Sequence, residues 1–109
     1  MGRHISLTRS AGLIKTTSTS IVAERNDRLL CNVTNGPINV TLPPPGVLSD
    51  GDTVRIFDVN GLSGTNNINV LRNGANIQNL AQDLTININN ACVTLEYYTV
   101  VGSWLIVTK

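Results

Sequence analysis

Residues 51–70 read GDTVRIFDVNGLSGTNNINV. Val54 and Ile56 alternate with Thr53 and Arg55, the period of two expected of a half-buried strand over Thr53 to Asp58. A loop from Val59 to Asn66 follows, in which Gly61 and Gly64 supply backbone freedom that other residues lack. A second run leaves the loop at Asn67, with Ile68 and Val70 alternating with Asn67 and Asn69. This is a strand–loop–strand unit, and most of the chain repeats its pattern.

Upstream, Leu29, Cys31 and Val33 alternate with Leu30 and Asn32, and Ile38, Val40 and Leu42 alternate with Asn39 and Thr41. Asn35-Gly36 between these runs predicts a hairpin. Pro37, which has no amide donor, belongs at the start of the second strand or on an edge. Pro43-Pro44-Pro45-Gly46 predicts extended polyproline crossing an end of the domain, since each ring fixes φ and removes a donor. Downstream, Asn73-Gly74 marks a turn, and Ile77 and Leu80 form a weaker segment. Leu84, Ile86 and Ile88 then alternate with Thr85, Asn87 and Asn89. Val93, Leu95 and Tyr97 follow, and Trp104 to Val107 make the last strand after a turn at Gly102. About eight short strands at spacings of roughly 8–12 residues predict an all-β domain, a small jelly-roll-like or Greek-key β-sandwich. A β-helical or prism arrangement completed between chains is the alternative.

A chain of 109 residues accommodates one domain with its own core. Aromatic residues are only 4% of it against 41% hydrophobic overall, so Val, Ile and Leu must build the core. Charged residues are 14%, which leaves a polar, weakly charged surface suited to close approach of other subunits, because few charges would need desolvation. No apolar run is long enough to cross a bilayer as a helix, and the N-terminus lacks the apolar stretch of a signal peptide, so neither a membrane partner nor secretion is expected. Cys31 and Cys92 lie in apolar runs with no Cys or His at ligand spacing, and both are expected to be buried thiols.

The net charge of +1 conceals an asymmetry. Residues 1–20 carry Arg3, Arg9 and Lys15 and no acid, whereas residues 21–109 carry five basic and seven acidic side chains. The first twenty residues hold too few apolar side chains for a core of their own, and Ile5 and Leu7 are spaced by two. The division predicted is an extended N-terminal arm over residues 1–20 and a β-sandwich domain over 21–109. Arg3, Ile5, Leu7, Arg9 and Lys15 are the candidate partner-binding residues, the arm pairing with another chain.

Catalysis by the usual routes has no residue set here. The one histidine, His4, lies in the arm, so the body cannot assemble a Ser-His-Asp or Cys-His arrangement. Asp50 and Asp52 flank a glycine at a turn, the ordinary solvated position for Asp. Asp58, Asn60 and Asn66 offer too few acids for calcium, and capping of backbone groups by the Asn residues is the simpler reading. No catalytic residue, cofactor or metal is expected. The body has no basic stripe for phosphates and no platform of stacking aromatics, which argues against nucleic acid. Trp104 with Tyr97 or Tyr98 would serve as a sugar-stacking face if exposed, although a buried Trp104 is favoured.

The wording of the chain also resembles a family. Gly51-Asp52-Thr53-Val54-Arg55-Ile56, Asp58, Gly61, Gly64-Thr65-Asn66-Asn67-Ile68, Asn73-Gly74 and Ile77 are similar to a β-module of bacteriophage virion proteins, found in tail fibres, tail spikes and capsid-decoration (cement) proteins. The resemblance extends back to Asn35-Gly36-Pro37 and Val40-Thr41-Leu42-Pro43, and forward to Val93–Tyr98 and Gly102–Val107. It covers residues 21–109 and carries no catalytic residues. It implies a non-enzymatic structural protein of the virion, assembled in the host cytoplasm as a homotrimer. The opening Met and the ending close to the module's usual terminus suit a whole gene product. With the separate arm, this favours a decoration protein that binds the major capsid protein and stabilises the head shell. A tail-fibre or tail-spike module that binds a receptor or carbohydrate is the alternative.

Overall fold

The computed structural model of the protein describes residues 13–107. The described chain holds ten strands: β1 (Ile14–Thr17), β2 (Ile21–Val22), β3 (Arg28–Cys31), β4 (Ile38–Thr41), β5 (Thr53–Asp58), β6 (Ile68–Leu71), β7 (Asn76–Ile77), β8 (Leu84–Ile86), β9 (Cys92–Tyr98) and β10 (Ser103–Ile106). They form two sheets, as the alternating runs predict. Sheet A has the order β1-β3-β5-β9-β10-β7, and sheet B the order β2-β4-β6-β8.

The chain passes from one sheet to the other at each step from β1 to β9. Successive strands of one sheet are therefore separated by a strand of the other, and β1-β3-β5 and β2-β4-β6 are parallel. The first six strands make a coil of three turns. Antiparallel pairs enter later: β6 with β8, β5 with β9, and the hairpin of β9 with β10. β7 then closes the far side of sheet A, parallel to β10.

The coil corrects one local expectation. Asn35-Gly36 does not make a hairpin, because β3 and β4 belong to different sheets. Gly36, at φ 146°, instead helps carry the chain over an arch between them. Leu29 and Cys31 look at the core from one side and Ile38 and Val40 from the other. The dipeptide announces a reversal, and whether the second strand then pairs or stacks is decided by the packing beyond it. Pro37 sits just before β4, where its missing donor breaks no ladder. Pro44 is extended as expected, at φ −68° and ψ 149°. Pro45–Val47 then tighten into a 3₁₀ turn instead of continuing as polyproline, which the first position of a helix tolerates because its amide would be unused anyway.

Inside, matched rows face one another. Ile38, Ile68 and Ile86 form one row across sheet B, and Val40 and Val70 sit in the next, between Ile21 and Leu84. Leu29, Ile56, Leu95 and Trp104 supply the opposing surface, all with no exposure. Each branched side chain buried this way contributes about 1.5–3 kcal/mol. On the outer face of sheet B, Asn39 and Asn69 are in register, and the Asn69 amide donates to the Asn39 side-chain oxygen at 3.3 Å.

The sheet begins at Ile14, within the segment read from the sequence as an arm. Cys31 is buried as expected, but Cys92 is exposed. In β9, Leu95 and Tyr97 are buried and Val93 is half-buried, which turns Cys92 outward beside Phe57 in the register.

Candidate interaction surface

Four regions concentrate the polar chemistry and the uncovered apolar surface of the described chain. The first is the loop pair at the end of β5. Asp58, only 6% exposed, accepts hydrogen bonds from the amides of Gly61 (3.1 Å), Leu62 (3.2 Å), Ser63 (2.9 Å) and Asn90 (2.9 Å). The Ser63 hydroxyl donates to the carbonyl of Ile88, and the Gly64 amide to the Asn89 side chain at 2.8 Å. A Cβ on Gly61 or Gly64 would meet the side-chain oxygens of Asn90 and Asn89 at 2.7 and 2.8 Å, so both glycines permit a close approach between the two loops. Burial pushes the Asp58 carboxyl up, but the hydrogen bonds from Ser63, Asn90 and Leu62 outweigh it, and its pKa lies below the usual value. Its lone pairs are spent on loop amides, which is a structural role.

Asp50 and Asp52 are engaged in the same way. Asp50 accepts from the Thr99 amide at 2.6 Å and its hydroxyl at 2.9 Å, which holds its carboxyl below the usual range. Asp52 accepts from the Ser49 amide and pairs with Arg25, whose Nε is 3.1 Å away. Among the described residues, no group of three His, Cys, Asp or Glu side chains is placed to hold a metal ion.

The second region is the root of the arm. Arg3, Ile5, Leu7 and Arg9 lie outside the described residues. Lys15 lies inside them, on β1, and its ammonium is 2.8 Å from Asp27 Oδ2 and 2.9 Å from Glu24 Oε1. Asp27 is wholly buried, and the Glu24 amide donates to the same Oδ2. The hydrogen bonds that the ammonium donates to Asp27, and then to Glu24, raise the Lys15 pKa above its ordinary value. Lys15 thus pins β1 to its own domain.

The third region is the outer face of sheet A. Register places Ile14, Arg28, Arg55 and Thr94 in one row across four strands, and Thr16, Leu30, Phe57 and Cys92 in another. Arg28 and Arg55 are exposed, and neither forms an ion pair with a described residue. Ile14 is 65% exposed, while Leu30 and Phe57 are half-buried. This pair is not legible in the sequence, since the two arginines are far apart in the chain and only a parallel register unites them.

The fourth is a groove of about 180 Å³ at the edge of sheet B, lined chiefly by Leu84, Ile86, Ile88, Ala91, Val93 and Ile106. Sheet B stops at β8 while sheet A continues through β9 to β10 and β7, and the groove lies at that step. The alternation of Leu84, Ile86 and Ile88 was legible in the sequence. That one side of it stays uncovered was not.

The aromatics do not form a sugar-stacking face around Trp104. That residue has no exposure, and it meets the buried Tyr97 edge-on at 5.5 Å between ring centroids. Tyr98 is half-buried and its hydroxyl donates to Glu96 at 2.7 Å, which raises the phenol pKa. No protein-family model and no curated protein sequence matches this chain.

Proposed function

We infer that the protein is a non-enzymatic structural subunit of a bacteriophage virion, a capsid-decoration protein that assembles as a homotrimer on the major capsid protein. The reading starts from the sequence resemblance, and one observation in the fold carries it further. The row Ile14–Arg28–Arg55 is exposed, carries two positive charges that form no ion pair with a described residue, and adjoins Leu13, which follows the basic residues 1–12 in the sequence. The sheet face by itself presents a cationic, partly apolar surface. Such a surface complements an acidic shell protein, the charges setting orientation and the apolar side chains supplying burial. The closed rotational symmetry of a trimer would let copies cover each other's sheet edges.

The test is the copy number of this chain in purified particles. Copies comparable to those of the major capsid protein are expected, and occupancy of stripped particles should fall sharply when Arg28→Glu and Arg55→Glu are combined. A handful of copies per particle would overturn the decoration role and place the chain on the tail.

A further inference from the structure

β8 is one of the two edge strands of sheet B, the other being β2. β8 pairs with β6 on one side and with no described strand on the other. Beside that edge the apolar groove is left open by the mismatch between six strands in sheet A and four in sheet B. Ile88 at its rim is 70% exposed, and Leu84, Val93 and Ile106 are only partly buried. An unpaired ladder next to an apolar trough is the arrangement that accepts an added strand, because the backbone supplies hydrogen bonds and alternate side chains enter the trough.

The chain itself contains a matching segment. In His4-Ile5-Ser6-Leu7-Thr8 the apolar residues fall two apart, so in an extended conformation both project from one side, about 6.7 Å from each other. Leu84 and Ile86 have the same spacing. Whose segment it is follows from reach. Leu7 and Leu13 are six residue steps apart, at most about 22 Å of fully extended chain. Four strand spacings separate β1 from β10, about 19 Å, and sheet B lies about 10 Å from sheet A. The straight line between these points is already roughly 21 Å and runs through the core, so a chain going around the edge of the domain falls short.

We propose that the free edge of β8 and its groove receive residues 4–8 of a second copy of this chain, with Ile5 and Leu7 entering the groove. This deepens the proposed function by naming the contact that joins copies, and it rests on the reading of the chain as an assembling subunit. Because each copy both donates and accepts, the contact is heterologous, and it closes into a ring when the rotation between copies permits.

The test is cross-linking of the full-length chain carrying Leu7→Cys and Ile88→Cys in a Cys92→Ser background, under a mild oxidant. Disulfide-linked dimers and trimers are expected as the major species, and absent from variants that carry only one of the two introduced cysteines. Intrachain-linked monomers would overturn the assignment to a second copy, and failure to cross-link would overturn the groove as the acceptor. A second variant, Ile88→Asp, changes a largely exposed side chain and should keep the fold, read from its melting curve, while shifting the mass in solution from oligomer to monomer. An unchanged mass would equally overturn the proposal. These readouts use the isolated protein. Particles that bind it without this contact would leave the decoration role standing, and a ring that forms but binds no shell would remove that role alone.

Discussion

The carboxylate of Asp58 accepts the backbone amide of Asn90 at 2.9 Å, across 32 residues of sequence. Through that bond and the amides of residues 61, 62 and 63, one side chain fixes both the loop leaving β5 and the loop entering β9. Asp58→Asn keeps the shape and one acceptor oxygen but loses charge and half the acceptor capacity. With buried amides left wanting, it should destabilise the domain by about 2–4 kcal/mol, read as a lower denaturant midpoint at pH 7.

The same residue predicts acid sensitivity. Its pKa in the folded protein is below the usual value, so its contribution is present above the unfolded pKa of about 3.9 and lost as pH falls through the folded value. Thermal melts of the wild type and Asp58→Asn should converge on acidification below pH 4. A gap unchanged from pH 7 to pH 2 would mean that the carboxylate's charge is not what stabilises the loops.

Lys15 and Asp27 predict an order among variants. Lys15→Met leaves Asp27 buried without its counter-charge, a loss of about 1–3 kcal/mol given that the lysine is partly exposed. Adding Asp27→Asn removes the stranded charge, so the double variant should be more stable than Lys15→Met alone. Since the Lys15 pKa is raised, the pair's contribution is complete below the ordinary lysine value and lost as pH rises through the folded one. Urea denaturation of the three proteins at pH 7 gives the order, and repeating it above pH 10.5 checks the sign.

The cysteines should separate chemically. Burial, followed by the nearby Asp58 charge, pushes the Cys31 thiol up to about 11, whereas Cys92 is exposed. A thiol-reactive dye at pH 8 should label Cys92 in the native protein and reach Cys31 only after denaturant is added. Equal labelling of both under native conditions would show that the arch between β3 and β4 opens readily.

These residues also mark what a sequence can tell. Val54, Ile56, Ile68 and Val70 announce strands through a period of two, which is a local property, and the two-sheet all-β architecture follows from counting such runs. Pairing is not local. Asn35-Gly36 signals a reversal equally well for a hairpin and for an arch, so the parallel coil was hidden, and with it the rows that coil creates. Asp27 lies in the charged run Glu24-Arg25-Asn26-Asp27-Arg28, and nothing near it in sequence shows that Lys15 will arrive on a neighbouring strand. Of the candidate site, the arm's charge and the spacing of Ile5 and Leu7 were legible. The groove and the arginine pair were not, since each exists only where distant segments meet.

Arg28 and Arg55 test whether a surface has been kept at a cost to stability. Like charges directly opposite on neighbouring strands repel, and this pair has no described acid to offset it. Replacing Arg28 by Thr, a good strand former, should therefore stabilise the isolated protein by about 0.2–1 kcal/mol. The gain should shrink at high salt, where the repulsion is screened. If the sheet face meets an acidic shell protein, the same change should weaken attachment to particles at low ionic strength and lower the salt dependence of what remains. Denaturation and particle sedimentation, each in low and high salt, measure the two effects on one variant. Gain in the first with loss in the second would mean that the pair serves binding at the expense of the fold, whereas gain in the first with unchanged sedimentation would move the contact to another face.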